Sequence, residues 1–147
     1  ERHLIISINY YIDCIKRYGG DYDKVYIVSN KINKEWEKKY MEKLFDKIRE
    51  LNKEPIFNNN TIEEDIKILI NSKTLITSNS TFCFLPVVLS EKSNIISFPY
   101  TGENVLPNND IIRWPNNPII FKYNKKDNYH FNYEFSKNKN DYFEKLF

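Results

Sequence analysis

The chain has 147 residues, enough for one domain with its own core or for one half of a two-lobed enzyme. With 41% hydrophobic and 29% charged residues it has the composition of a globular protein, which excludes a disordered tail. Its 22 basic and 20 acidic side chains leave a net charge of +2, which gives no general drive toward nucleic acid or an anionic membrane surface.

The elements alternate along the chain. From Ile5 to Tyr18 the apolar positions Ile8, Tyr11, Ile12 and Ile15 follow helical spacing, with Ser7 or Asn9 as cap and Gly19-Gly20 as stop. Lys24 to Val28 is a β-rich run closed by Ser29-Asn30. Asn33 to Asn52 carries the strongest helical pattern, with Trp36, Tyr40, Leu44, Ile48 and Leu51 on one face. Pro55-Ile56-Phe57 is a brief strand, and Asn58-Asn59-Asn60 a turn. Thr61 with Glu64 has the spacing of a capping box for a helix closed by Asn71-Ser72.

Lys73 to Thr77 is the third strand. Ser78-Asn79-Ser80 turns the chain into an apolar helix from Thr81 to Leu89, and Asn94 to Phe98 is a fourth strand before Pro99. This alternation predicts parallel strands joined by crossovers, hence an α/β fold with a Rossmann-like, doubly wound parallel sheet.

Beyond Tyr100 the pattern loosens around Pro107, Pro115 and Pro118, with one apolar run from Ile119 to Tyr123. Residues 1–125 are expected to form the main lobe. Residues 126–147 are expected to be an aromatic and charged tail of the same domain, with a final helix from Asn140. Lys122, Lys125 and Lys126, interleaved with Tyr123, Tyr129 and Phe131, have the ingredients of a nucleic-acid stacking surface. Asp127 and Glu134 dilute that charge, so a solvated surface is the better reading.

No apolar run approaches the roughly 20 residues of a membrane span. No secretory leader is recognisable, and a cytoplasmic or membrane-peripheral protein without a transmembrane segment is expected. The chain opens at Glu1 without an initiator Met, as expected of a fragment. Cys14 and Cys83 sit apart in apolar stretches, away from His3 and His130, and read as free thiols rather than metal ligands. Glu63, Glu64 and Asp65 are acidic neighbours on a helix whose side chains diverge, so no metal site is expected there. The triplets Asn59-Asn60-Thr61 and Asn79-Ser80-Thr81 fit the glycosylation sequon, a chance match in so Asn-rich a chain.

In open α/β sheets ligands gather at the carboxyl ends of the strands. Two polar turns fall there: Ser29-Asn30-Lys31 and Ser78-Asn79-Ser80-Thr81. The second leads directly into an apolar helix, whose first amides and hydroxyl neighbours make a phosphate-binding arrangement. The same residue types are also ordinary helix caps, so the local chemistry admits both readings. Tyr100-Thr101-Gly102-Glu103 follows the fourth strand and would face the same edge, as a plain loop or as a contact to substrate.

The stretch Glu64 to Leu89, centred on Asn79-Ser80-Thr81-Phe82, resembles the C-terminal motif of alpha-1,2-fucosyltransferases and related viral and bacterial glycosyltransferases. Tyr10-Tyr11 at a helix start, Val28-Ser29-Asn30 after a strand and Ile95 to Pro99 resemble other parts of that family. The resemblance spans about the first hundred residues. It implies the C-terminal lobe of a two-lobed GT-B glycosyltransferase, with GDP-fucose as donor, a glycan hydroxyl as acceptor, inversion and no metal. The N-terminal lobe would be a separate part of the whole protein.

In that resemblance Ser80 and Thr81 contact the donor pyrophosphate, Asn79 shapes the donor-binding turn that Ser78 opens, and Phe82 packs beneath or beside the base. Asp65 lies near base or ribose, although as a first-turn acid it also suits the helix dipole. Ser29 and Asn30 correspond to a Ser-Asp-Asp turn, from which this chain departs. The basic His-x-Arg-Arg-Gly-Asp-Tyr motif of the family is missing, and Arg2-His3 is no substitute for it. No catalytic residue is identifiable. The alternatives are a non-catalytic α/β domain that binds a nucleotide or a partner, and a transferase using another nucleotide-sugar.

Overall fold

A computed structural model describes residues 4–58, 60–78, 81–90, 94–97, 119–120 and 130–132. The predicted strand end at Phe98, the loop from Tyr100, the turn residues Asn79 and Ser80, and the final helix from Asn140 lie outside them. The chain divides into two compact units, one made of Glu1–Asn59 with Asn124–Phe147 and the other of Asn60–Tyr123.

The first unit begins with strand β1 (Leu4–Ile6) and helix α1 (Ile8–Tyr18). A helix from Ile5 is therefore corrected: the first three described residues are extended and pair antiparallel with β7 (His130–Asn132), Ile5 opposite Phe131. The apolar triplet is equally suited to either state, and a partner more than a hundred residues away decides it. Ser7 stays extended and accepts the amide of Asn9, so the helix starts only after it. The β1–β7 pair also departs from an all-parallel arrangement, and it turns part of the predicted tail, including Phe131, into strand.

At about 100° per residue, the buried residues of α1 form two faces. Ile8, Ile12 and Ile15 lie on one, while Tyr10 and Cys14 lie on the other, about 200° round. Gly19 ends the helix with its amide on the Ile15 carbonyl, and a Cβ at this position would clash with that oxygen. Gly20 follows in the left-handed region at φ +54, where glycine carries no Cβ penalty.

Strand β2 (Lys24–Tyr26), helix α2 (Glu35–Arg49) and strand β3 (Glu54–Ile56) form a β-α-β unit whose strands pair in parallel, Val25 opposite Pro55. Met41, Leu44 and Ile48 form the buried face of α2, which packs on α1 and β3. The Tyr40 hydroxyl donates to the Ile6 carbonyl at 2.7 Å and ties α2 to the end of β1.

The start of α2 lies two residues later than the apolar pattern indicates. The Glu37 carboxylate accepts the amides of Lys34 and Asn33 at 2.9 and 2.8 Å, holding those residues outside the helix. At the other end Asn52 adopts φ 56 and the Lys53 amide reaches back to the Ile48 carbonyl, a Schellman-type stop.

The second unit contains helix α3 (Ile62–Asn71), strand β4 (Thr74–Ile76), a 3-10 turn at Thr81–Cys83, helix α4 (Phe84–Leu89), strand β5 (Asn94–Ser97) and strand β6 (Ile119–Ile120). The capping box is formed as the spacing predicts: Thr61 Oγ1 accepts the Glu64 amide, and the Glu64 carboxylate accepts the Thr61 amide. Strands β4, β5 and β6 are parallel in that order, with Leu75 opposite Ile95 and Ile96 opposite Ile119. Leu75, Val87 and Ile95 form one core cluster, with Leu69 packed against it, and Ile96 is also buried.

The predicted helix from Thr81 to Leu89 is split. Pro86 has no amide to donate to the carbonyl four residues back, so the segment enters as a 3-10 turn and becomes α-helical only at Phe84. Among the described residues the strands thus form three short sheets, two of them parallel, in a mixed α/β fold. No helix among these residues is long and apolar enough to cross a membrane.

The two helix-capping carboxylates give the chain an acid-sensitive component. The amides of Lys34 and Asn33 hold the Glu37 carboxyl below its ordinary 4.5, and the Thr61 amide does the same for Glu64, helped by the Thr61 side chain. A carboxylate with a lowered folded pKa contributes above its unfolded value and loses that contribution as pH falls through the folded one. The urea midpoint is therefore expected to drop as pH falls below the ordinary 4.5 of these carboxyls, and to drop less in the double variant Glu37→Gln/Glu64→Gln. Parallel pH profiles for the two chains would remove these carboxylates from the account.

Candidate functional site

The candidate site is built on the second unit, where topology supplies an edge before any side chain is considered. Strand β4 runs through Leu75 into Thr77, which is buried. The Thr77 amide donates to the Ile96 carbonyl at 2.9 Å, so β4 stays locked to β5 one residue past its last ladder pair. The chain can leave the sheet only after that bond, at Ser78. Ser78 is therefore at the carboxyl end of a parallel strand.

Both helices of the unit have their amino ends toward this same edge. Helix α4 begins after the turn and returns through Ser90 to the start of β5. Helix α3 enters β4 through Ser72 and Lys73 alone and packs on the sheet core through Leu69, so it runs back along β4. Its ten residues span about 15 Å against about 10 Å for the three of β4. The first turn of α3, which contains Asp65, thus reaches the carboxyl side of the sheet.

Two local contacts shape the polar groups here. The Ser78 hydroxyl and the Cys83 thiol lie 3.6 Å apart, closing the turn between β4 and α4. The Asn60 side-chain amide donates to Asp65 Oδ1 at 3.0 Å and orients that carboxylate from just ahead of the helix cap. Phe82 keeps 40% of its surface exposed beside the turn.

Asn60, Thr77 and Cys83 are not among the residues that the sequence marks for this site. Asn60 precedes the Thr61 cap, and an amide side chain before a capped, acid-rich first turn is a readable signal. Thr77 and Cys83 carry none, because their partners are set by strand pairing and by the path of the turn.

The other predicted positions fall elsewhere or outside the description. Ser29 and Asn30 are exposed in the first unit, beyond the amide of Ile27, which extends the β2–β3 pairing by donating to Ile56 at 2.8 Å. Asn79 and Ser80 lie outside the described residues; Thr81 opens the 3-10 turn. The α-helix expected to start at Thr81 is thus corrected: Thr81–Cys83 is a 3-10 turn and the α-helix starts at Phe84. Helix α4 has only six residues, starts without a side-chain cap, and has a correspondingly small dipole. Among the described residues no group of three or more His, Cys, Asp or Glu side chains converges.

The thiols differ sharply in environment. Burial pushes the Cys14 thiol up to about 12, against an opposing hydrogen bond with Tyr10, whereas Cys83 is half-buried at the turn. Thiolate is the reactive form, so Cys14 is inert near neutral pH. Iodoacetamide is expected to label one cysteine in the native chain, Cys83, and both in denaturant. Native labelling at Cys14, read by peptide mass, would contradict the buried face of α1.

No family model, curated protein or solved structure matches the chain.

Proposed function

We propose that this chain is the nucleotide-sugar-binding lobe of a glycosyltransferase, with a Rossmann-like sheet of GT-B type and a nucleoside diphosphate held at the Ser78–Thr81 turn. The observation that carries the proposal is the position of Ser78 at the carboxyl end of β4 in a parallel sheet, with Asn79, Ser80 and Thr81 following it in sequence. The first turn of α3, with Asp65 oriented by Asn60, supports it from the same edge. The sequence resemblance to alpha-1,2-fucosyltransferases supplies the reaction class and makes GDP-fucose the proposed donor.

In this reading an acceptor hydroxyl attacks the anomeric carbon from the face opposite the leaving group, so the new glycosidic bond forms with inversion. The nucleoside diphosphate departs carrying the bonding electron pair. Amides and hydroxyls between Ser78 and Thr81 stabilise the charge that develops on its terminal phosphate, an effect typically worth a few kcal/mol per preset donor. Phe82 offers an apolar surface to the base, and Asp65 accepts from base or ribose. The proton of the acceptor hydroxyl passes to a base outside the residues named here, which the resemblance assigns to no side chain of this chain.

Isothermal titration with GDP and UDP tests the site. Each hydrogen bond to a charged phosphate contributes about 1.5–3 kcal/mol, so Ser80→Ala/Thr81→Ala is expected to weaken GDP binding by tenfold or more, on the order of one to two decades per bond. Undiminished affinity in that variant removes the site from the proposal. Tighter binding of UDP than of GDP would keep the site and replace the donor by another nucleotide-sugar. Absence of binding by either nucleotide would leave a non-catalytic α/β domain as the better reading.

A further inference from the structure

We draw no further inference here: the strongest candidate, the exposed apolar stripe of Phe82, Leu85 and Leu89 along the 3-10 turn and α4, has nothing in the structure to show what covers it.

Discussion

Replacing Tyr10 with alanine is expected to destabilise the folded chain by about 3–5 kcal/mol, the range for truncating a fully buried aromatic. Tyr10 has no exposed surface, and its ring meets that of Tyr11 edge-on with centroids 5.0 Å apart. It sits with Cys14 on the second buried face of α1, so truncation opens a cavity on the side of the helix that α1's apolar spacing at Ile8, Ile12 and Ile15 does not mark. Two effects combine: the apolar surface of the ring is lost, and the surrounding side chains relax only partly into the space.

Tyr10→Phe separates the hydroxyl from the ring. Its hydroxyl engages the Cys14 thiol, and losing one neutral hydrogen bond costs about 0.5–1.5 kcal/mol. The phenylalanine variant should therefore keep most of the stability. Urea unfolding followed by circular dichroism, with an unchanged slope, gives both values. A Tyr10→Ala chain within about 1 kcal/mol of the parent would mean that this face of α1 is not packed, since surface substitutions usually fall below that. The Tyr-Tyr pair also enters the family resemblance, and burial gives Tyr10 a sufficient role in folding without any contact to a ligand.

The second large effect is expected at Ile96. It is fully buried in β5, between β4 and β6, opposite Ile76 on one side and Ile119 on the other. Ile96→Ala should cost about 2–5 kcal/mol and Ile96→Val about 0.5–1.5 kcal/mol, because the methyl groups removed leave a cavity at a fully buried position. The Ile96 carbonyl also accepts both the amide and the hydroxyl of Thr77, the bonds that determine where β4 releases the chain.

Loosening Ile96 therefore reaches the candidate site through the backbone. Amide exchange at Leu75 and Thr77 is expected to speed up in Ile96→Ala, together with the global loss of stability. If exchange at Thr77 stays at the parent rate while stability falls, the β4–β5 lock does not depend on this core position. Measuring GDP affinity of the same variant at a temperature where it remains folded would report whether the turn needs that lock.

The candidate site was legible in part because its frame is sequential. A strand, a polar turn and an apolar segment read in order put Ser78 at a carboxyl edge wherever the strand is parallel, and Asp65 follows from the helix that precedes it. The geometry of the turn was not legible. Pro86 is the residue that splits the helix, and its missing amide acts on a segment that hydropathy reads as continuous. The Asn60–Asp65 bond spans five residues, longer than the capping-box spacing that locates Thr61 and Glu64.

What the residues determined by themselves are the features closed within a few positions. Gly19 stops α1, Thr61 and Glu64 start α3, and the helical period that includes Leu44 and Ile48 buries one face of α2. Each depends on groups within about one or two helical turns, so local sequence carries the whole interaction. Only the tertiary structure decided that Leu4–Ile6 is a strand, that Tyr10 lies in a core and that Thr77 is held by Ile96. In those cases the deciding contacts come from partners distant in the chain, which no local pattern encodes.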